Sequence, residues 1–366
     1  VRSVIFFYGT LRHSPLLEIV LGRKVSMRDA ALDGYHCLAV AQQPFPTLVA
    51  KRGSVAHGTL VDDLSEHDLA RLDYYEGGFD YALNDIVLSD GTPARVYLCA
   101  PDRWQTDGSW DFDVWTERWA ALSCHAAQEV MDHLGTLNSD VVGRMFPQIR
   151  ARAWSRVLGT RTPAGADVFD GRIETSRSTR AYTGYFALDE VALHHERFDG
   201  GMSTRLERSY FIGGDAALVL PYDPVRDRVM VVEQMRMGPL GRCDPAIWQL
   251  EPIAGRVDPG EAPEQTALRE AREETGLDLD RLETVARGYP SPGESTTYFH
   301  IFVALTDLPD NVTGIGGLET EAENIRSRLI SFTDFMGLAE DLALANTPLA
   351  LLAYWLSHHR SRLRSE

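Results

Sequence analysis

Residues 255–277 set glycines, carboxylates and Arg269 at spacings suited to divalent-metal chemistry. Gly255 is followed after five residues by Glu261, and after seven more by Arg269-Glu270. Ala271, Glu273-Glu274, Gly276 and Leu277 complete the run. Residues 266–275, rich in Ala, Leu, Arg and Glu, predict a helix. At roughly 100° per residue, Glu270, Glu273 and Glu274 share one face. Carboxylates that close repel and destabilise an isolated helix. A divalent cation would neutralise them and take their oxygens as hard ligands. Arg269, one turn before Glu273, can pair with it. Gly276 suits a helix C-terminus, and Gly255 is expected to permit a tight turn before Pro259-Gly260. A bare Arg-Glu-Ala-Arg-Glu-Glu string is more often a solvated surface helix; Gly255, Glu261 and Gly276 in register with it set that reading aside. A diphosphate is polyanionic and repels a hydroxide nucleophile. Mg²⁺ or Mn²⁺ neutralises the phosphoryl oxygens, activates water and stabilises the leaving oxygen.

The flanking sequence predicts the elements that must carry this helix. Strands are expected at 182–188, 210–212, 216–221 and 228–233, with Tyr222 to Asp227 a tight connection between the last two. Residues 255–277 read as loop then helix, 298–305 as an apolar strand, and 333–363 as helical, with Pro348 suited to a helix start. Thr162-Pro163-Ala164-Gly165 reads as a linker. Before it, Trp115, Trp119, Leu122, Ala126, Val130 and Leu134 fall at helical spacing, and a second helix is expected over 141–157. The Trp and His residues there read as core and surface rather than as ligands. The first hundred residues read as short strands: 4–8, then 58–61, then a hairpin of 86–88 with 94–98. A helix capped by Ser65, with Asp68 three residues on, carries Leu69 and Leu72 inward and runs to Tyr75-Glu76-Gly77-Gly78.

The totals bound the reading. A chain of 366 residues makes two domains the natural expectation. No apolar run approaches the roughly 18–20 residues that span a bilayer, and the first residues form too short a run for a signal peptide. Cys37, Cys99, Cys124 and Cys243 lie far apart, which suits reduced thiols in a cytoplasm rather than a zinc site or a disulfide framework. A net charge of −17 without a basic patch argues against nucleic acid. The arginine-rich tail at 358–364 reads as a helix end.

The 255–277 run fills every fixed position of the Nudix box, so the chain resembles Nudix hydrolases. Its flanks closely resemble the ADP-ribose pyrophosphatases over roughly residues 180–360. They include Arg197-Phe198-Asp199-Gly200-Gly201, Glu233-Gln234-Met235-Arg236, Leu250-Glu251-Pro252-Ile253-Ala254, Ser291-Pro292-Gly293-Glu294-Ser295 and Glu321-Ala322-Glu323. The resemblance implies metal held by the carbonyl of Ala254 with Glu270, Glu274 and Glu323. Glu273 would be a further metal-site carboxylate. Glu321 or Glu323 would position or deprotonate the attacking water. Arg236 and Arg208 would hold phosphate or ribose oxygens, as guanidinium forks suit. Tyr185 or Phe186 would stack on adenine, and Ser291 would touch the substrate. Thr296-Thr297-Tyr298 stands where many relatives carry an acid, so no base is assigned there. The resemblance also implies a homodimer in which the strands before the box exchange between subunits.

Phe7-Tyr8-Gly9-Thr10-Leu11-Arg12 and Leu72-Asp73-Tyr74-Tyr75-Glu76-Gly77 are similar to the two signatures of the gamma-glutamylcyclotransferase-like (AIG2-like) fold. That resemblance implies a small mixed β-barrel with a polar cavity between the signatures. Backbone amides of Tyr8, Gly9, Thr10 and Leu11 would hold a substrate carboxylate, and Glu76 would shuttle a proton. Arg12 could instead bridge Glu76 structurally, and many relatives have no known activity. The fused arrangement resembles bacterial Nudix-type tellurite-resistance proteins, although no residue suggests tellurite chemistry.

The expectation is therefore an α+β two-domain protein. Residues 1–135 form the cyclotransferase-like barrel, 136–165 a helical connector and linker, and 166–366 a Nudix α/β/α sandwich. The expected activity is hydrolysis of ADP-ribose to AMP and ribose 5-phosphate with Mg²⁺ or Mn²⁺, in a cytoplasmic homodimer with no nucleic-acid or membrane partner. The competing readings are hydrolysis of another nucleoside-diphosphate sugar, an ADP-ribose sensor that does not cut, and a cyclotransferase acting on gamma-glutamyl amines. The intact carboxylate cluster argues against the sensor.

Overall fold

A computed structural model describes residues 2–162, 168–318 and 323–365. They form two compact units, Val1–Val168 and Phe169–Glu366.

The first unit opens with β1 (Ser3–Phe7), a 3₁₀ turn at Thr10–Arg12 and helix α1 (Ser14–Leu21). Then come β2 (Arg28–Val40), β3 (Pro46–Leu64), α2 (Glu66–Gly77), β4 (Tyr81–Val87), β5 (Pro93–Cys99) and β6 (Thr106–Ser109). Two long helices follow, α3 (Phe112–Asp132) and α4 (Ser139–Arg161). The sheet runs β4-β5-β1-β3-β2-β6 and is mixed, because β1 and β5 are parallel. It curls as a half-barrel around Phe6, Leu32, Leu60 and Val96. The residues expected at 58–61 are the end of the 19-residue β3. The start of α2 is fixed by a capping box: the Ser65 hydroxyl accepts from the Asp68 amide, and the Asp68 carboxylate accepts from the Ser65 amide. Arg23 also pairs with Asp68 at 2.6 Å and holds its carboxyl well below the usual range. Helix α4 packs on α3 within this unit, joined by a buried ion pair between Arg152 and Glu129.

The second unit begins with a three-stranded antiparallel sheet, β7 (Ile173–Thr183), β8 (Ala187–His195) and β9 (Leu206–Ile212). Then follow β10 (Ala216–Asp223), β11 (Arg228–Met235), the short α5 (Met237–Arg242), β12 (Trp248–Glu251) and β13 (Ile253–Arg256). Helix α6 (Pro263–Thr275), β14 (Leu282–Gly288), β15 (Phe299–Leu305), β16 (Ile315–Gly316) and β17 (Ile325–Ser331) come next. Helices α7 (Phe332–Glu340) and α8 (Thr347–Leu363) end the chain. The larger sheet runs β14-β15-β10-β11-β17-β16, with β12 beside β11 and β13 beside β10. Leu218, Leu220 and Tyr222 of β10 pack with Phe335 of α7 and Leu349, Leu352 and Leu356 of α8. Strand alternation turns Ala217 and Val219 to the other face, where α6 lies. This is the expected α/β/α sandwich.

Several expectations change in detail. The stretch 182–188 is not one strand: Tyr182 and Thr183 end β7, Ala187 and Leu188 begin β8, and residues 184–186 form the hairpin turn between them, where the Gly184 amide donates to the Phe186 carbonyl at 2.9 Å. The stretch 333–363 is two helices, broken where Leu342 takes a left-handed φ of 58°. Gly255 is in strand β13, not in a loop. Residues 163–165 of the expected linker lie outside the described residues.

Candidate active site on the acidic helix

Helix α6 starts with Pro263 in its first turn and stops at Gly276, whose φ of 72° is left-handed. Ala267 and Ala271 bury its inner face, which leaves the acidic face to Arg269. That guanidinium does more than pair with Glu273. It reaches Glu261 at 3.1 Å through both Nε and Nη2, Glu270 at 2.7 Å, Glu273 at 2.9 Å and the Arg256 carbonyl at 3.2 Å. Burial works against ionisation of Glu261, but Arg269 and the Thr266 hydroxyl outweigh it and hold the group low. Burial dominates at Glu270 and pushes it up to about 7. At Glu274, burial and then the charges of Glu270 and Glu323 push the carboxyl up to about 9. The Ala254 amide and the positive charge of Arg236 counter only part of that rise.

Gly255 serves proximity rather than turning, since its φ is not positive. A Cβ there would sit 1.8 Å from Glu270 Oε1. Gly316 is similarly constrained, because its Cβ would lie 1.9 Å from the Glu274 carbonyl oxygen. Glu323 enters on the late loop, its carboxylate accepting from the Leu318 amide at 3.1 Å.

These residues fit a hard divalent cation in kind. Glu274 is 2% exposed, and its Oε2 is buried with no hydrogen-bond partner among the described residues. A carboxylate oxygen so placed is costly unless a cation or proton joins it. As the side chains stand, no three acidic, His or Cys groups among the described residues converge on one point. Arg269 holds Glu270 and Glu273, and the Leu318 amide holds Glu323. The residues that would hold the ion are Glu270, Glu274 and Glu323, with the carbonyl of Ala254.

The first unit has its own cavity. It is lined by residues 8–11, by Glu76, and by a wall that includes Phe45, Phe79 and Phe146. The expected polar cavity is thus largely aromatic. Phe79 meets Phe146 of α4 at 4.8 Å between centroids and Phe45 at 5.7 Å. The Glu76 carboxylate makes no hydrogen bond or ion pair among the described residues, and burial raises it to about 7. Arg12 does not bridge it; its guanidinium lies 4.3 Å over the Phe112 ring.

Residues 214–350 match the family model described as NUDIX domain. Residues 5–112 match the model described as gamma-glutamyl cyclotransferase, AIG2-like. The ADP-ribose pyrophosphatase of Escherichia coli strain K12 is 36% identical over 185 residues, covering 50% of this chain and 88% of that protein. The chain belongs to the Nudix family. It is also 37% identical over 162 residues to the ADP-ribose pyrophosphatase of Haemophilus influenzae, covering 43% of this chain and 73% of that protein. The GDP-mannose pyrophosphatase of Yersinia enterocolitica is 28% identical over 192 residues, covering 51% of this chain and 96% of that protein.

Around the Nudix helix, the other expected site residues are drawn in unevenly. Tyr185 and Phe186 occupy the exposed β7–β8 turn, and the Arg256 guanidinium lies 4.2 Å over the Tyr185 ring. That contact brings the aromatic turn to the strand carrying Ala254. Arg236 lies just after β11, at the start of α5, and pairs with Glu251 at 2.7 Å. Ser291 begins a turn whose Glu294 carbonyl accepts from the Phe211 amide at the end of β9. Arg208 stands exposed on β9, its guanidinium donating only to the Glu207 carbonyl among the described residues. Glu321 lies outside the described residues. The sequence reading missed Arg256, Glu251 and the α4 residues Phe146 and Arg150 that line the first cavity. Only Arg256 and Glu251 had a local signal, since both flank the box glycine.

The raised carboxyl of Glu76 makes stability depend on pH in a definite direction. Its folded value of about 7 exceeds the ordinary value of 4.5, so between those values the folded state holds the proton more tightly. Stability is therefore full below about pH 4.5 and falls as pH rises to about 7, by on the order of 3 kcal/mol. Glu76→Gln should melt higher than the parent at pH 8 and level with it near pH 4.5, read by calorimetry of the first unit's transition. No difference at pH 8, or one of opposite sign, would refute the burial of this group.

Proposed function

We propose that this protein hydrolyses the diphosphate of a nucleoside-diphosphate sugar, foremost ADP-ribose to AMP and ribose 5-phosphate. The observation that carries this is Glu274, buried and with an oxygen unpartnered among the described residues, beside the charges of Glu270 and Glu323. Mg²⁺ or Mn²⁺, when bound, would neutralise phosphoryl oxygens and acidify water. The chain's own residues do the rest. Arg269 keeps Glu261, Glu270 and Glu273 gathered despite their mutual repulsion. Arg236 and Arg208 would bind the diphosphate or the terminal ribose. Tyr185, already faced by one planar cation, offers a stacking surface for a purine; Phe186 is beside it. Ser291 would touch the substrate. Glu323 or Glu321 would orient the attacking water and accept its proton, with Glu273 close by. Relatives named for ADP-ribose and for GDP-mannose keep both sugars in the test.

A second activity is proposed for the first unit. Glu76 faces residues 8–11 across one cavity and has no bonded partner among the described residues. A carboxyl near 7 can both take and return a proton at neutral pH, as closure of a gamma-glutamyl amine onto its own carbonyl requires. The amides of Tyr8, Gly9, Thr10 and Leu11 would hold the substrate carboxylate.

The reading includes a homodimer. Tyr182, Tyr185, Phe186 and Phe211 of the three-stranded sheet and its turn are more than half exposed, as a surface awaiting a second copy would be. The reading also places the protein in a reducing cytoplasm, which suits four free cysteines; no helix among the described residues is long and apolar enough to cross a membrane.

With purified protein and Mg²⁺, a panel of ADP-ribose and GDP-mannose should release AMP or GMP. Glu274→Gln should lower turnover by at least about a hundredfold, the scale of a lost charge-stabilising group; undiminished turnover would sink the central reading. Gamma-glutamyl amines should yield 5-oxoproline with the parent and none with Glu76→Gln, and a silent parent would leave the first unit without this chemistry. Sedimentation at micromolar concentration should give a dimer, because an exchanged-strand interface of well over ~2,000 Å² is in the obligate range; a monomer alone contradicts it.

A further inference from the structure

Arg236 is held from behind by a chain of two residues. Its Nε and Nη2 both lie 2.7 Å from one oxygen of Glu251. Glu251 closes β12 opposite Val232 of β11, only 8% exposed, three residues before Ala254. Its other oxygen accepts from Asn346 Nδ2 at 3.1 Å. Asn346 is also the cap of α8, its Oδ1 accepting from the Leu349 amide at 3.0 Å. One amide group thus starts the terminal helix with its oxygen and fixes a buried carboxylate with its nitrogen.

We propose that Glu251 and Asn346 are positioning residues for Arg236, orienting its remaining donors toward the diphosphate of the substrate. This rests on the nucleoside-diphosphate reading above. A guanidinium gripped by Nε and Nη2 can swing little, and its Nη1 makes no bond among the described residues. A fork fixed in advance loses less freedom when an anion docks. Glu251 also keeps Arg236 from swinging onto the acidic helix, where its charge is already felt at Glu274. The terminal helix therefore reaches the site through its cap residue.

Asn346 allows capping and positioning to be separated. Asp and Ser cap helices about as well as Asn. Asn346→Ser keeps the cap and loses the Nδ2 donor, while Asn346→Asp keeps the cap and sets a carboxylate against Glu251. Both should raise KM for the nucleoside-diphosphate sugar, with a smaller change in kcat. The rise is about threefold to tenfold, the scale of one hydrogen bond, and larger for Asp. ADP binding with Mg²⁺, followed by calorimetry, should weaken by the same factor. In an Arg236→Ala background the Asn346 substitutions should cost nothing further. Unchanged KM and ADP affinity, or an equal loss in both backgrounds, would overturn the proposal. If the parent hydrolyses no nucleoside-diphosphate sugar, the functional reading fails by itself, and the ADP measurements still decide the positioning.

Discussion

Arg269 gathers four acceptors that would otherwise stand apart or repel. Glu261 comes from the loop before α6, Glu270 and Glu273 from the helix, and the Arg256 carbonyl from β13. One fork thereby ties strand, loop and helix into a single acidic surface. Three carboxylates sharing one guanidinium still leave an excess of negative charge, and Glu274 lies outside the arrangement altogether. It has Arg236 at longer range and Glu270 and Glu323 nearby. The interaction that makes the helix foldable is thus also the one that concentrates unmet charge at a single buried oxygen.

Glycine fixes how close that surface can form. Gly255 lets the backbone of β13 lie against the Glu270 carboxylate, and Gly316 lets the β16 backbone meet the main chain at Glu274. A side chain at Gly316 would push α6 away from the strands, and one at Gly255 would displace the Glu270 carboxylate. The sheet supports this from beneath: β10 buries alternate residues toward α7 and α8 on one face and toward α6 on the other. Glu251 and Ala254 lie on two short strands separated only by Pro252. A shift of β12 would therefore move the arginine partner and the carbonyl of Ala254 together.

The acidic helix was legible because its signal is local. Helical composition, the register of Gly255, Glu261 and Gly276, and the Arg269–Glu273 spacing all lie within one segment. The capping box at Ser65 was legible for the same reason. What the sequence hid depends on contacts between distant segments. Tyr185 meets Arg256 across about seventy residues, and Glu251 meets Asn346 across ninety-five. Phe146 reaches the Glu76 cavity from a helix that periodicity alone marked only as a connector. The turn at 184–186 was read as strand because aromatic residues favour strands; a single glycine decided otherwise.

Two buried glutamates show how surroundings choose between a proton and a metal. Burial raises both Glu76 and Glu274. Around Glu76 burial is the cause, and the shared cavity is lined mainly by aromatic and apolar side chains, with Arg150 among them. A lone carboxyl there is relieved by one proton, which suits it to acid–base work near neutrality. Around Glu274 the charges of Glu270 and Glu323 add to burial. One proton on Glu274 would leave its neighbours still repelling, whereas one divalent cation relieves all three at once. The same residue type thus meets burial under two different fields, a lone carboxyl that one proton relieves and a clustered one that a divalent cation relieves better, and the number of like charges around it makes the difference.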